Sequence, residues 1–180
     1  MPKRLRLDAM HERHPGLTAA VASGYEEAAS VCLSRHHEPP TELTLTLGDD
    51  SQGADVDWDV PSEKVRAAWA NSTDTTEAGA YACVLAGLEE LRGLVAVRRA
   101  ETGTGADYYV GLPGDGDFDL EDCIRLEVSG LDLGSLREVT QRLGQKVRQA
   151  SEGRSALPAI AGVIGFAAKR IAFQAVEETR

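Results

Sequence analysis

The run "LPAIAGVIGFA", residues 157–167, does most to limit how this chain can fold. It is nearly all apolar on both parities, the pattern of a central strand covered on both faces. It is far short of the roughly 20 apolar residues of a membrane span, and no other run approaches that length either. A chain of 180 residues is long enough to bury such a strand within one domain.

The remaining elements follow from period and punctuation. "HPGLTAAVASGYEEAASVCLSRHH" spaces Leu17, Val21, Tyr25, Ala28 and Val31 as a helix does. "TELTLTLGDD" alternates strictly, with Leu43, Leu45 and Leu47 on one face, and "ADVDWDVP" alternates again, so a hairpin around "GDDSQG" is expected. "PSEKVRAAWANS" reads as a short helix opened by Pro61 and Ser62. "DTTEAGAYACVLAGLEELRG" is a helix with a cap candidate at Asp74 or Thr75 and a stop at Gly93. "LVAVRRA", "GTGADYYVGL" and "CIRLEVSG" read as strands, and "GDGDFDLED" as a loop between the last two. "DLGSLREVTQRLGQKVRQASEG" is a long helix with Leu136, Val139, Leu143 and Val147 as its stripe, and "AKRIAFQAVEE" reads as a final helix. The fold class is thus α/β. It is a mixed sheet in which residues 74–180 form a helix–strand–strand–strand–helix–strand core. Residues 1–73 form a helix, hairpin and short-helix extension packed on it, in one compact domain.

Charge narrows the function classes. The formal net charge is −10, and residues 38–129 carry 6 Lys and Arg against 20 Asp and Glu. Residues 130–180 carry 8 against 5. Such acidity argues against passive, non-specific nucleic-acid binding and leaves room for a local basic face in the last third. Cys32, Cys83 and Cys123 are sparse and odd in number, which fits reduced thiols. "MPKRLRLDAMHERHPG" lacks the apolar stretch of a signal peptide, so a cytoplasmic location is the expectation.

Two carboxylates stand where strand propensity disfavours them: Asp107 at the head of one strand and Glu127 inside the next. If these strands are antiparallel neighbours, the acids converge at one end of the sheet. Strand parity puts Arg125, Glu127 and Ser129 on one face and Ile124, Leu126 and Val128 on the other. Two carboxylates, a strand carbonyl and a nearby donor suffice to hold Mg²⁺, which takes oxygen ligands, and to support in-line attack on phosphorus.

The element order of residues 74–170, with an acid entering the second strand and a glutamate in the third, resembles the PD-(D/E)XK, or restriction-endonuclease-like, nuclease superfamily. "TEAGAYACVLAGLEELRGLVAVRRAETGTGADYYVG", "RLEVSG" and "RLGQKVRQ" resemble more narrowly a group of bacterial proteins associated with phage defence or mobile elements. The resemblance implies a Mg²⁺- or Mn²⁺-dependent DNA nuclease. Asp107 and Glu127 would be metal ligands, Val128 would lend its carbonyl, and Glu77 would be the extra acid of the first core helix. The lysine expected two residues after the glutamate is replaced by Ser129. Some members recruit a residue from the following helix, and here Arg142, Lys146 and Gln149 share one helical face. Lys146 is the first candidate for that charge and Gln149 the second. DNA is the implied partner, met alone or through a partner protein, as a homodimer or as a subunit of a defence complex.

Each of these residues also has an ordinary structural reading. Asp107 can be a turn residue after Gly105-Ala106. Glu127 can pair with Arg125, Arg98 or Arg99. Glu77 can serve as the N3 residue of a capping box, and Lys146 and Gln149 can be solvated. If the missing lysine is not replaced, the alternative is a catalytically inactive nuclease-like fold that serves as a binding or assembly subunit. His11, His14, His36, His37 and Cys32 meet no zinc spacing, and Trp58 and Trp69 sit in apolar patterns.

Overall fold

The computed structural model describes residues 3–117 and 119–176 and places the apolar run in a strand, Ala159–Gly165, with all seven residues buried. The strands are β1 (Arg4–Leu5), β2 (Thr41–Leu47), β3 (Asp50–Val56), β4 (Val95–Arg99), β5 (Tyr108–Gly111), β6 (Ile124–Leu131), β7 (Ala159–Gly165) and β8 (Arg170–Val176). The helices are α1 (Ala19–Ser34), α2 (Glu63–Ala68), α3 (Ser72–Arg92) and α4 (Leu136–Ser151), with a short 3₁₀ turn at Met10–Glu12.

Among the described residues all eight strands join one mixed sheet in the order β1-β3-β2-β8-β7-β6-β5-β4. β4, β5 and β6 form an antiparallel meander, and β6 runs parallel to β7. A parallel pair needs a crossover, which α4 supplies. Parity sorts the two faces. Ile160 and Ile164 of β7 join the core under α1 and α3, while Ala161 and Val163 join Val139 and Leu143 of α4. The stripe predicted for α4 is thus right at Val139 and Leu143, but Leu136 at its first turn is exposed.

Local signals set the helix ends. Asn71 Oδ1 accepts from the amides of Thr73 and Asp74 and caps α3. The cap therefore lies three residues before Asp74 and four before Thr75, the predicted candidates, and Glu77 is the sixth residue of α3 rather than N3 of a capping box. α3 ends at Gly93, whose φ of 68° suits a residue without a Cβ. α4 opens with a capping box of Ser135 and Glu138.

Two expectations are corrected. The hairpin turns on two residues, since Leu47 pairs with Asp50. Its second strand therefore spans Asp50–Val56, and Trp58 lies beyond it, buried with Nε1 donating to Ser34 Oγ. The final segment is a strand, not a helix. β8 returns antiparallel along β7 after a turn through Lys169, and pairs parallel with β2 on its other side. Its predicted helical continuation through Glu177 and Glu178 lies outside the described residues. "RIAFQAV" satisfies both the helical and the alternating pattern, and the free edge of β7 decides between them. β8 thereby makes the N-terminal hairpin part of the same sheet.

Candidate functional site

β5 stops one residue short of its first acid. Tyr108 pairs with Leu126, and one further step in that register sets Asp107 against Glu127. Asp107 still donates its amide to the Leu126 carbonyl at 2.8 Å. Its side chain then takes over the work of the strand, as Oδ2 accepts the Val128 N–H at 2.7 Å. From Val128 onward β6 has no strand on that side among the described residues. The N–H and C=O of one strand residue point to the same side. The Val128 carbonyl is therefore directed to this open edge, beside Asp107.

Glu127 lies on the α4 face, as parity requires, and is 5% exposed. Its partner is Lys146, whose Nζ donates to Oε1 at 2.7 Å, and Lys146 also donates to Gln149 Oε1 at 3.1 Å. The pairing with Arg125, Arg98 or Arg99 does not occur. Arg125 is instead buried and donates to the carbonyls of Leu157, Thr104 and Ala150. It ties the loop before Asp107 to the end of the helix that carries Lys146. Ser129, two residues after Glu127, accepts from Arg142 at 3.1 Å.

Glu77 enters through α3. Tyr81, one turn further on, directs its hydroxyl at Asp107 Oδ1 at 3.0 Å and at Glu77 Oε1 at 3.3 Å. Arg99 lies over the Tyr81 ring and donates to its hydroxyl at 3.0 Å. Glu77, Asp107, Glu127, Lys146 and Gln149 therefore lie around one corner of the sheet. A cleft of about 530 Å³ opens between α3 and α4, lined by Glu77, Tyr81, Asp107, Arg142 and Lys146 among others. A second, of about 500 Å³, is lined by Asp107, Glu127, Lys146 and Gln149 and by the loops at Gly105 and Gly153. Asp107 and Lys146 line both.

The electrostatics follow from burial. Desolvation raises the Glu127 pKa, the Lys146 hydrogen bond opposes that, and the neighbouring Asp107 charge raises it again, leaving it above the ordinary carboxylate value. Two acids that repel each other and present only oxygen suit a hard divalent cation. Among the described residues no three His, Cys, Asp or Glu side chains are grouped to hold a metal. A cation here would rely on Asp107, Glu127, the Val128 carbonyl and water or substrate oxygens, a donor set that Mg²⁺ accepts.

Compared with known protein families, curated proteins and solved structures, the chain matches none. Its functional reading rests on the geometry of this corner. Tyr81 and Arg99 are the site residues that pattern reading misses. Tyr81 belongs to an apolar stripe and reads as core, and its one available signal is its i,i+4 spacing from Glu77. Among the described residues no helix is long and apolar enough to cross a membrane.

Proposed function

We propose that this chain is a divalent-cation-dependent phosphodiesterase that cleaves DNA, of the PD-(D/E)XK kind, with the motif's lysine moved from position 129 to Lys146. One observation carries the reading. Asp107, Glu127 and Lys146, from three separate elements, meet where β5 stops and β6 runs on. Asp107, Glu127 and the Val128 carbonyl would hold Mg²⁺ or Mn²⁺. That ion would supply a Lewis acid for the phosphate oxygens.

The chain's own groups divide the rest of the work. The water oxygen bonds to phosphorus and gives up a proton to solvent as the opposite P–O ester bond breaks, the leaving oxygen takes a proton from solvent, and negative charge grows on the phosphoryl oxygens in between. Lys146 offers a cation 2.7 Å from Glu127, placed to stabilise that charge. Gln149 steadies the ammonium through its amide oxygen. Glu77 acts on Asp107 through the shared Tyr81 hydroxyl.

A second reading is a non-catalytic assembly subunit on the same fold, with a partner or a second copy supplying the basic surface. The 2.7 Å contact from Lys146 favours it, because that ammonium already neutralises Glu127. Supercoiled and linear duplex DNA incubated with Mg²⁺ separates the two. The nuclease reading expects cleavage by the wild type, its loss with a chelator, and a drop of about a hundredfold or more in Asp107→Ala, Glu127→Ala and Lys146→Met. Wild-type protein that cuts neither form supports the assembly subunit.

A further inference from the structure

Arg99 forms a loose ion pair with Asp107 and does not close on it. Its Nη1 is 3.6 Å from Asp107 Oδ1, too far for a hydrogen bond, although the same group donates to the Asp107 backbone carbonyl at 3.0 Å. The Tyr81 hydroxyl occupies the intervening position. It accepts from Arg99 Nη2 at 3.0 Å and donates to Asp107 Oδ1, also at 3.0 Å.

The direction of this relay is forced. A guanidinium only donates, so it takes an acceptor site on the phenol oxygen, and the phenol proton must point elsewhere. The acceptors recorded for it are Asp107 Oδ1 and, at a longer 3.3 Å, Glu77 Oε1. A phenol keeps its proton at neutral pH, so Tyr81 stays a donor. The ring is fixed as well. Arg99 Cζ lies 4.6 Å from the Tyr81 centroid and 4.8 Å from that of Tyr108, and the Tyr108 hydroxyl is 2.7 Å from that of Tyr25.

We infer that Tyr81 is a positioning residue that keeps Asp107 available to a divalent cation by holding its carboxylate and keeping Arg99 from closing on it as a direct hydrogen-bond partner. The inference deepens the nuclease reading and rests on it. With Oδ1 held by Tyr81 and Oδ2 by the Val128 amide, each carboxylate oxygen receives one donor and keeps a lone pair. Without the hydroxyl, Asp107 is free to swing to Arg99 and tighten the 3.6 Å ion pair into a direct, hydrogen-bonded one that competes with the cation.

The test is Mn²⁺ binding, measured by calorimetry with and without duplex DNA, on wild type, Tyr81→Phe and Tyr81→Phe/Arg99→Met. The affinity should fall about tenfold in Tyr81→Phe, the loss expected for one charge-assisted hydrogen bond. It should return to within about threefold of wild type in the double variant, where the competing charge is gone. A merely structural hydroxyl would not be rescued by a second truncation. An unchanged affinity in the single variant, or a double variant no tighter than the single, overturns the inference alone. Wild type that takes up no Mn²⁺ even with DNA overturns the nuclease reading and the inference with it. If Tyr81→Phe does not fold, the Tyr81 Cζ resonance of the wild type gives a second measurement. It should move on Mg²⁺ saturation while that of Tyr109 stays in place, and an unmoved Tyr81 resonance overturns the inference.

Discussion

At Glu127 burial and a neighbouring ammonium act in opposite directions, and the balance sets a pH dependence. Desolvation and Asp107 favour the protonated carboxyl, while Lys146 favours the charged one. The carboxylate has to be charged to hold a cation, so cation binding should be lost on acidification at a pH above the ordinary glutamate value. Lys146→Met removes the opposing influence and moves that midpoint further up, measurable as Mn²⁺ affinity against pH. Glu89 shows the reverse case. Burial would raise its pKa, but hydrogen bonds from His14 and Arg13 outweigh this and bring it down to about 2. His14 Nδ1 accepts the Ala96 amide, so the ring proton sits on Nε2 and donates to Glu89 Oε2. A depressed folded pKa gives stability that is complete above the unfolded value of 4.5 and is lost as pH falls toward 2. Urea unfolding should show Glu89→Gln less stable than wild type by about 1–3 kcal/mol at neutral pH, with the gap closing across that window.

Among the elements, the contact of α3 with β6 controls how close the acids come. A Cβ at Gly130 would stand 2.9 Å from Ala80 Cβ and 2.9 Å from the Thr76 carbonyl oxygen. Gly130→Ala should therefore cost about 1–3 kcal/mol in urea unfolding and shift Glu77 and Tyr81 away from Asp107, weakening Mn²⁺ binding as well. Much of this geometry is legible in the sequence, because strand parity puts Glu127 on the helix α4 face and the meander brings Asp107 beside it. Lys146 is legible only through the resemblance. Its contact with Glu127 depends on where α4 crosses the sheet, and a one-dimensional pattern favours the nearer Arg125, Arg98 and Arg99. β8 is not legible, since Ile171, Ala172, Ala175 and Val176 fit a helical face as well as Ile171, Phe173 and Ala175 fit a strand. Sheet pairing, a long-range property, decides it.

Over the whole molecule, charge and site pull against each other. A chain of net charge −10 repels a polyanion, and the acids of the cleft add to that locally. Arg142, Lys146 and Arg154 line the two clefts, so the nuclease reading has positive charge at the site itself to meet a phosphate backbone. On this account a divalent cation is needed for DNA to be held as well as cut, and affinity should rise when Mg²⁺ is added at fixed ionic strength. The central claim is that Asp107 and Glu127 share one cation site. Calorimetric titration of Mn²⁺ into wild type, Asp107→Ala and Glu127→Ala, each with duplex DNA present, tests it most directly. The account predicts one site in the wild type that either substitution abolishes. Uptake that survives both substitutions, or wild type that takes up none, would contradict it.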